Sequence, residues 1–274
     1  MSKNKTDIDR RQFFKSGAIA LGSIAIVGVA SNYLKANKKG DIPDTNYLRP
    51  PGAINEETFV SECIKCGLCV QICPIQAIKL ADIDAGLDYG TPYIDIREQA
   101  CDFSCDSLQC VETCPTAVLD FQQFKREGEK AIEKYDQEMA GKQMDKNYNP
   151  FKVQIIAMKE HVNMGMAKLN TSTCLAYQDK GFKGSVRDDS FEGVNRSPYT
   201  KDRKATPLAD KKYDREVCDI CVKECPIGEK AIIMEVMSDG AKRPKVLDAC
   251  TGCGVCVMVC PTEQPSIIVE PIKA

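Results

Sequence analysis

The chain has 274 residues, a formal net charge of −2, one histidine and 16 cysteines. A single histidine excludes a Rieske centre, a C-x2-C-H haem attachment and a His-based catalytic dyad or triad. The acidic balance argues against nucleic acid as a partner, and His161 reads as a surface or packing residue.

The N-terminus runs Asp9-Arg10-Arg11-Gln12-Phe13-Phe14-Lys15 and then uncharged from Ser16 to Leu34. Paired arginines before Phe-Phe-Lys and a modest apolar run predict a twin-arginine export signal over residues 1–30. Gly28-Val29-Ala30 offers small residues at the cleavage offsets, so removal after Ala30 is expected, with an uncleaved anchor as the alternative. This route carries folded proteins, which suits a cofactor inserted before export. It predicts a periplasmic protein at the inner membrane surface, held there through a partner or the uncleaved signal. No later segment is apolar enough to span a bilayer. The signal's five Lys/Arg and two acids, once lost, leave a charge of −2 − 3, or −5, on the remainder. Residues 31–58, with Pro43, Pro50, Pro51 and Gly52, read as an extended linker.

From residue 59 the cysteines dominate. Cys63, Cys66, Cys69 and Cys73 precede Pro74, and Cys250, Cys253, Cys256 and Cys260 precede Pro261. Both runs are C-x2-C-x2-C-x3-C-P, the bacterial ferredoxin spacing, in which three thiolates serve one 4Fe-4S cluster and the fourth reaches another. Looser copies are Cys101, Cys105, Cys110 and Cys114 before Pro115, and Cys218, Cys221 and Cys225 before Pro226, with Cys174 upstream. Four groups of four predict four 4Fe-4S clusters, with all sixteen thiols as cofactor and metal ligands. Disulfides and structural zinc are the competing readings of so many cysteines. Gaps mostly of two or three residues and the closing Cys-Pro fit both poorly.

Each Cys-Pro leads into a β-like run: 77–80, 117–121, 231–236 and 266–270. The expected fold is α+β, two ferredoxin-like 4Fe-4S modules with long charged insertions. Residues 59–121 hold the first half of the cysteine groups, 122–173 a charged connecting segment and 174–274 the second half, with an insertion loop at 179–216. Gln122 to Asn149 reads as an exposed helix. Because the outer groups share one spacing and the inner groups are both irregular, nested pairing is expected. Cys63, Cys66 and Cys69 would take Cys260, and Cys250, Cys253 and Cys256 would take Cys73. Cys101, Cys105 and Cys110 would take Cys225, and Cys174, Cys218 and Cys221 would take Cys114. In that scheme 43 residues separate Cys174 from Cys218, with a free buried thiol as its alternative reading. Neither a dinucleotide nor a nucleotide-phosphate loop motif is present, so no catalytic site is evident.

Beyond the cysteines, the twin-arginine leader, Leu48-Arg49-Pro50-Pro51-Gly52-Ala53, Cys63-Ile64-Lys65-Cys66-Gly67-Leu68-Cys69, Gly90-Thr91-Pro92-Tyr93 and Cys250-Thr251-Gly252-Cys253-Gly254 resemble the MauM/NapG family of ferredoxin-type proteins over nearly the full chain. The chain departs from the family after Cys174-Leu175, where an insertion delays the next cysteine. The resemblance implies a periplasmic electron-transfer subunit beside a NapH-like membrane iron–sulfur protein that oxidises quinol. Electrons would pass toward a periplasmic reductase or its cytochrome, nitrate reductase being the foremost. A four-cluster subunit of a molybdopterin enzyme or hydrogenase is the alternative.

Overall fold

A computed structural model describes residues 47–105, 107–140, 148–187, 194–195 and 206–272. The expected export signal lies outside them. Among the described residues no helix is long and apolar enough to cross a membrane.

The described chain opens with α1 (Glu56–Glu62), capped by Asn55, whose side chain accepts from the Thr58 N–H. The first cysteine loop leads into α2 (Leu68–Ile72) and β1 (Ile78–Leu80), and a 3-10 turn over Ile83–Asp88 returns to β2 (Pro92–Ile94). The second loop carries α3 (Gln109–Glu112). Two longer helices follow, α4 (Phe121–Met139) and α5 (Pro150–Glu160), and then β3 (Gly165–Leu169). The insertion supplies β4 (Phe182–Ser185), β5 (Val194–Asn195), β6 (Thr206–Pro207) and β7 (Lys212–Arg215). The last cysteine groups carry α6 (Ile220–Lys223), β8 (Ile232–Val236), β9 (Lys242–Val246), α7 (Val255–Met258) and β10 (Ile267–Pro271).

The two cysteine-rich halves are built alike. In each, the run after the first group folds back as a hairpin: β1 pairs antiparallel with β2, and β8 with β9. The run after the second group pairs with chain that precedes the whole half. Leu119 bridges Ala53, and β10 pairs antiparallel with β3 from Ile267 opposite Leu169 to Pro271 opposite Gly165. The expected strand at 117–121 is thus a single bridge. Asp120 accepts from the Gln122 N–H and caps α4, so helix begins where the strand would have continued.

Residues 47–58, expected as linker, are part of the core's wall. Leu48 and Arg49 are buried, and the Ile94 N–H donates to the Leu48 carbonyl at 2.8 Å. Arg49 pairs with both Glu56 and Asp88 and donates to Thr91 Oγ1 at 2.9 Å and the Pro92 carbonyl at 3.0 Å. Its guanidinium also lies 4.9 Å from the centre of the Phe59 ring. A buried cation held by two carboxylates is costly to orphan. Arg49 therefore pins 47–53 against 88–93, which joins two stretches whose motifs sequence reading had left without a contact.

The charged segment after residue 121 is a helical hairpin. Lys125–Glu129, Lys130–Glu127 and Lys134–Glu138 decorate the outer face of α4 while Phe124 is buried. From α5, Met158 is buried and Lys159 donates to the Phe103 carbonyl at 2.5 Å and the Cys105 carbonyl at 2.7 Å, which braces the second cysteine loop. His161 lies on the surface, with Nε2 3.3 Å from Glu127.

A candidate iron–sulfur centre

All 16 cysteines are free thiols, and the fold gathers them into four sets. Cys69 lies beside Cys63, Cys66 and Cys114, and these four line one cavity with Leu80 and Pro92. Cys110 lies beside Cys105 and Cys73, and Cys101 beside Cys105 and Cys110. Cys218 and Cys221 both face Cys174 and Cys260. Cys253 and Cys256 face Cys225 and Cys250, and the four line a second cavity with Ala167, Ile232 and Val269.

This grouping corrects the nested expectation at every fourth thiol. Cys114 completes the set of Cys63, Cys66 and Cys69, and Cys73 that of Cys101, Cys105 and Cys110. Cys260 joins Cys174, Cys218 and Cys221, and Cys225 joins Cys250, Cys253 and Cys256. Likeness of spacing proved a poor guide to neighbourhood. Each Cys-Pro thiol crosses to the adjacent group because a short hairpin already folds the two groups together, and short closures cost least entropy. Sets touch where their loops interlock: Cys110 is near Cys69, and Cys256 near Cys221.

Cys174 shows how the insertion is accommodated. β4 and β7 pair antiparallel, Phe182 opposite Arg215, so the insertion leaves and returns at one point. The Cys218 N–H then donates to the Lys180 carbonyl at 3.2 Å. A gap of 43 residues in sequence closes to neighbouring thiols in space.

The donor sets fit 4Fe-4S groups in their chemistry and surroundings. Among the described residues no three Cys, His, Asp or Glu side chains converge as they would on a single metal ion. Backbone N–H groups of Ala77 and Ser266 donate to Cys73 Sγ and Cys260 Sγ, each at 3.3 Å, as clustered thiolate sulfur requires. Thr262 Oγ1 lies 3.1 Å from Cys260 Sγ, and Thr116 Oγ1 3.8 Å from Cys114 Sγ. Burial pushes the Cys69 and Cys218 thiols up to about 11 and Cys253 up to about 12, with neighbouring thiols adding to the rise. Without metal these three thiols are neutral at pH 7, and iron's positive charge would be what removes their protons.

Positions with left-handed backbone open the short helices: Gly67 (φ 73°) before α2, Leu108 (φ 53°) before α3 and Gly254 (φ 84°) before α7. The turn aims successive N–H groups inward toward the thiols, and glycine takes it without strain. Leu108 was not foreseen in this role, since nothing in its side chain marks a left-handed position.

Comparison with known proteins agrees with the geometry. A 4Fe-4S dicluster domain matches residues 62–118, and a 4Fe-4S binding domain matches residues 244–266. The chain is 31% identical over 252 residues to the ferredoxin-type protein NapG of Escherichia coli, covering 89% of this chain and 78% of that protein. It is 28% identical over 259 residues to the methylamine utilization ferredoxin-type protein MauM of Methylorubrum extorquens, covering 92% and 84%. NapG of Haemophilus influenzae is 26% identical over 264 residues, covering 92% and 68%. No solved structure matches the chain. With thiol sets, domain matches and relatives covered over most of their length in agreement, the chain belongs to the NapG/MauM family of ferredoxin-type iron–sulfur proteins, whose business is electron transfer.

Proposed function

We propose that this chain is a periplasmic electron carrier holding four 4Fe-4S clusters, exported by the twin-arginine route. It would take electrons from a NapH-like quinol-oxidising membrane protein and pass them toward a periplasmic reductase or its cytochrome, with nitrate reductase the foremost acceptor. The observation that carries the reading is the division of sixteen cysteines into four sets of four, interlocked in pairs. Relatives named for methylamine utilization keep that pathway as a second destination.

When bound, the clusters supply reversible one-electron chemistry. Cys63, Cys66, Cys69 and Cys114 would hold the first cluster, and Cys101, Cys105, Cys110 and Cys73 the second. Cys174, Cys218, Cys221 and Cys260 would hold the third, and Cys250, Cys253, Cys256 and Cys225 the fourth. The chain around the thiols lends N–H hydrogen bonds to Cys73 in the second set and Cys260 in the third, one of the means by which a protein sets each potential.

Anaerobically purified protein should contain about 16 iron and about 16 sulfide per chain and absorb near 400 nm, bleaching on reduction. About 8 iron per chain would reduce the reading to two clusters, and none would end it. Genes or proteins found beside it would assign the acceptor.

A further inference from the structure

The most exposed apolar side chains of the first half gather around its first thiol set. Ile83 and Leu87, 79% and 75% exposed, stand on the 3-10 turn between β1 and β2, and Ile64, 63% exposed, stands in the cysteine loop. Ile64, Leu68 and Leu80 border the cavity of Cys63, Cys66, Cys69 and Cys114, and Cys66 itself is exposed. Lys65 joins loop to turn, its Nζ 5.8 Å from the centre of the Tyr89 ring and its stem packed on Gly90. Through Lys65 the exposed apolar turn adjoins the cysteine loop whose own exposed apolar residues border the one set with an exposed thiol. Such faces on soluble proteins mark interaction sites.

The turn itself is acidic, and so is the helix that leads into the cysteine loop. Asp82 and Asp84 on the turn and Glu57 and Glu62 on α1 are all exposed. Among the described residues none of these four has an ion-pair partner. Tyr47 senses the field: burial raises its phenol first, and Asp84, Asp88 and Asp82 raise it further. An anionic bilayer would be repelled here. An apolar centre with a mainly acidic rim, around the single lysine Lys65 of the loop, is the form of a steered, transient protein interface.

We propose that this face is the docking site for a redox protein whose own contact surface is apolar at the centre and rimmed with lysine or arginine, and that electrons cross at the thiol set of Cys63, Cys66, Cys69 and Cys114. The inference rests on the electron-carrier reading above. Crossing is balanced by one electron leaving the reduced protein and one ferric haem becoming ferrous, with no proton transferred.

The test uses the full-length, cluster-loaded protein, reduced with dithionite and mixed by stopped flow with a lysine-rimmed c-type cytochrome as probe. Asp82→Asn with Asp84→Asn should lower the second-order rate about tenfold at low salt and flatten its ionic-strength dependence. Ile83→Ser with Leu87→Ser should lower it about fivefold at all salt concentrations, since an apolar contact is not screened. Iron content and the electron paramagnetic resonance spectrum should match the parent. Val236→Ser with Ile268→Ser, exposed in the second half, should leave the rate unchanged. Unchanged rates in both first-face variants, or an equal loss in the second-half variant, would overturn the docking site while leaving the carrier reading intact. Binding to phosphatidylglycerol vesicles that the first-face variants abolish would assign the face to lipid and overturn it too. A parent protein that carries iron yet accepts no electrons would instead overturn the carrier reading.

Discussion

The loops 63–73 and 250–260 share every cysteine spacing and sit in opposite surroundings. In the first, Ile64, Lys65, Cys66 and Leu68 face water; in the second, residues 251–255 and 257–260 are all buried. Their backbones are nonetheless alike. Lys65 (φ 56°) stands where the second loop has Gly252 (φ 69°), and Gly67 (φ 73°) where it has Gly254 (φ 84°). A Cβ on Gly67 would meet nothing within 4 Å, whereas one on Gly252 would lie 2.5 Å from the Gly165 backbone and one on Gly254 2.3 Å from Ile96 Cγ2. The cysteines specify the cofactor, and the residues between them specify where the loop lives. Glycine is required where another chain segment crosses, and lysine is tolerated where only water does.

The largest effect separating the two loops should come from removing iron. Chelation under mild oxidation should take about a quarter of the iron in a first phase, roughly tenfold faster than the rest, because only the first set has an exposed thiol, Cys66. When the last iron leaves, far-ultraviolet circular dichroism should lose most of its structured signal, since these small modules are built around their clusters. Release in a single phase would break the distinction between the loops.

Backbone crowding gives the next effect. Gly254→Ala combines a left-handed strain with a clash against Ile96 and should cost about 3 kcal/mol, whereas Gly67→Ala meets only the strain, about 1 kcal/mol. Followed as thermal bleaching at 400 nm, the first should lower the midpoint by roughly 10 °C and the second by roughly 3 °C. Equal shifts would mean that the buried loop yields as readily as the exposed one.

These contrasts mark how far the sequence could be read. The thiols, their Cys-Pro ends, the strands at 78–80, 232–236 and 267–271 and the helix from residue 121 were legible, because each is a local pattern of spacing or periodicity. Pairing was not, because it depends on which groups the hairpins bring together, and equal spacing carries no information about adjacency. Nor was β3, hidden in a segment read as charged connection, where Gly165 and Ala167 make sense only against β10. Pro50 and Pro51 suggested an open linker, yet the Arg49 ion pairs lock that stretch in place through partners about 40 residues away. The insertion at 179–216 looked like loop because its strands are short and its pairing closes across nearly its whole length.

The buried loop has a second support that the exposed one lacks. Arg97, from the first half, donates to the carbonyls of Val257 at 2.8 Å, Cys260 at 3.1 Å, Thr262 at 2.9 Å and Glu263 at 3.0 Å. Its charge caps the end of α7, and burial lowers the guanidinium from its usual value, a cost that these carbonyls offset. Arg97→Met should cost about 2 kcal/mol by leaving those carbonyls unpaired. It should also speed iron loss from the second half while leaving the first, fast phase of chelation unchanged. An accelerated first phase would show that the clamp steadies both loops.

The smallest effect is the most direct check of why the loops differ. If Lys65 is tolerated at φ 56° only because nothing crowds it, Lys65→Gly should relieve a strain of about 1 kcal/mol. Against that stand a freer unfolded chain and the loss of the contact with Tyr89, each worth about 0.5–1 kcal/mol. The sum is near zero, so the thermal midpoint should move by no more than about 3 °C in either direction. The reverse change, Gly252→Lys, has no such balance. Its Cβ alone would overlap the Gly165 backbone, and no rotamer moves a Cβ. It should prevent loading of the fourth set while the other three still fill, leaving about 12 iron per chain. A Gly252→Lys protein with its full iron would show that β3 can withdraw from the loop, and that burial, unlike spacing, is not written into these glycines.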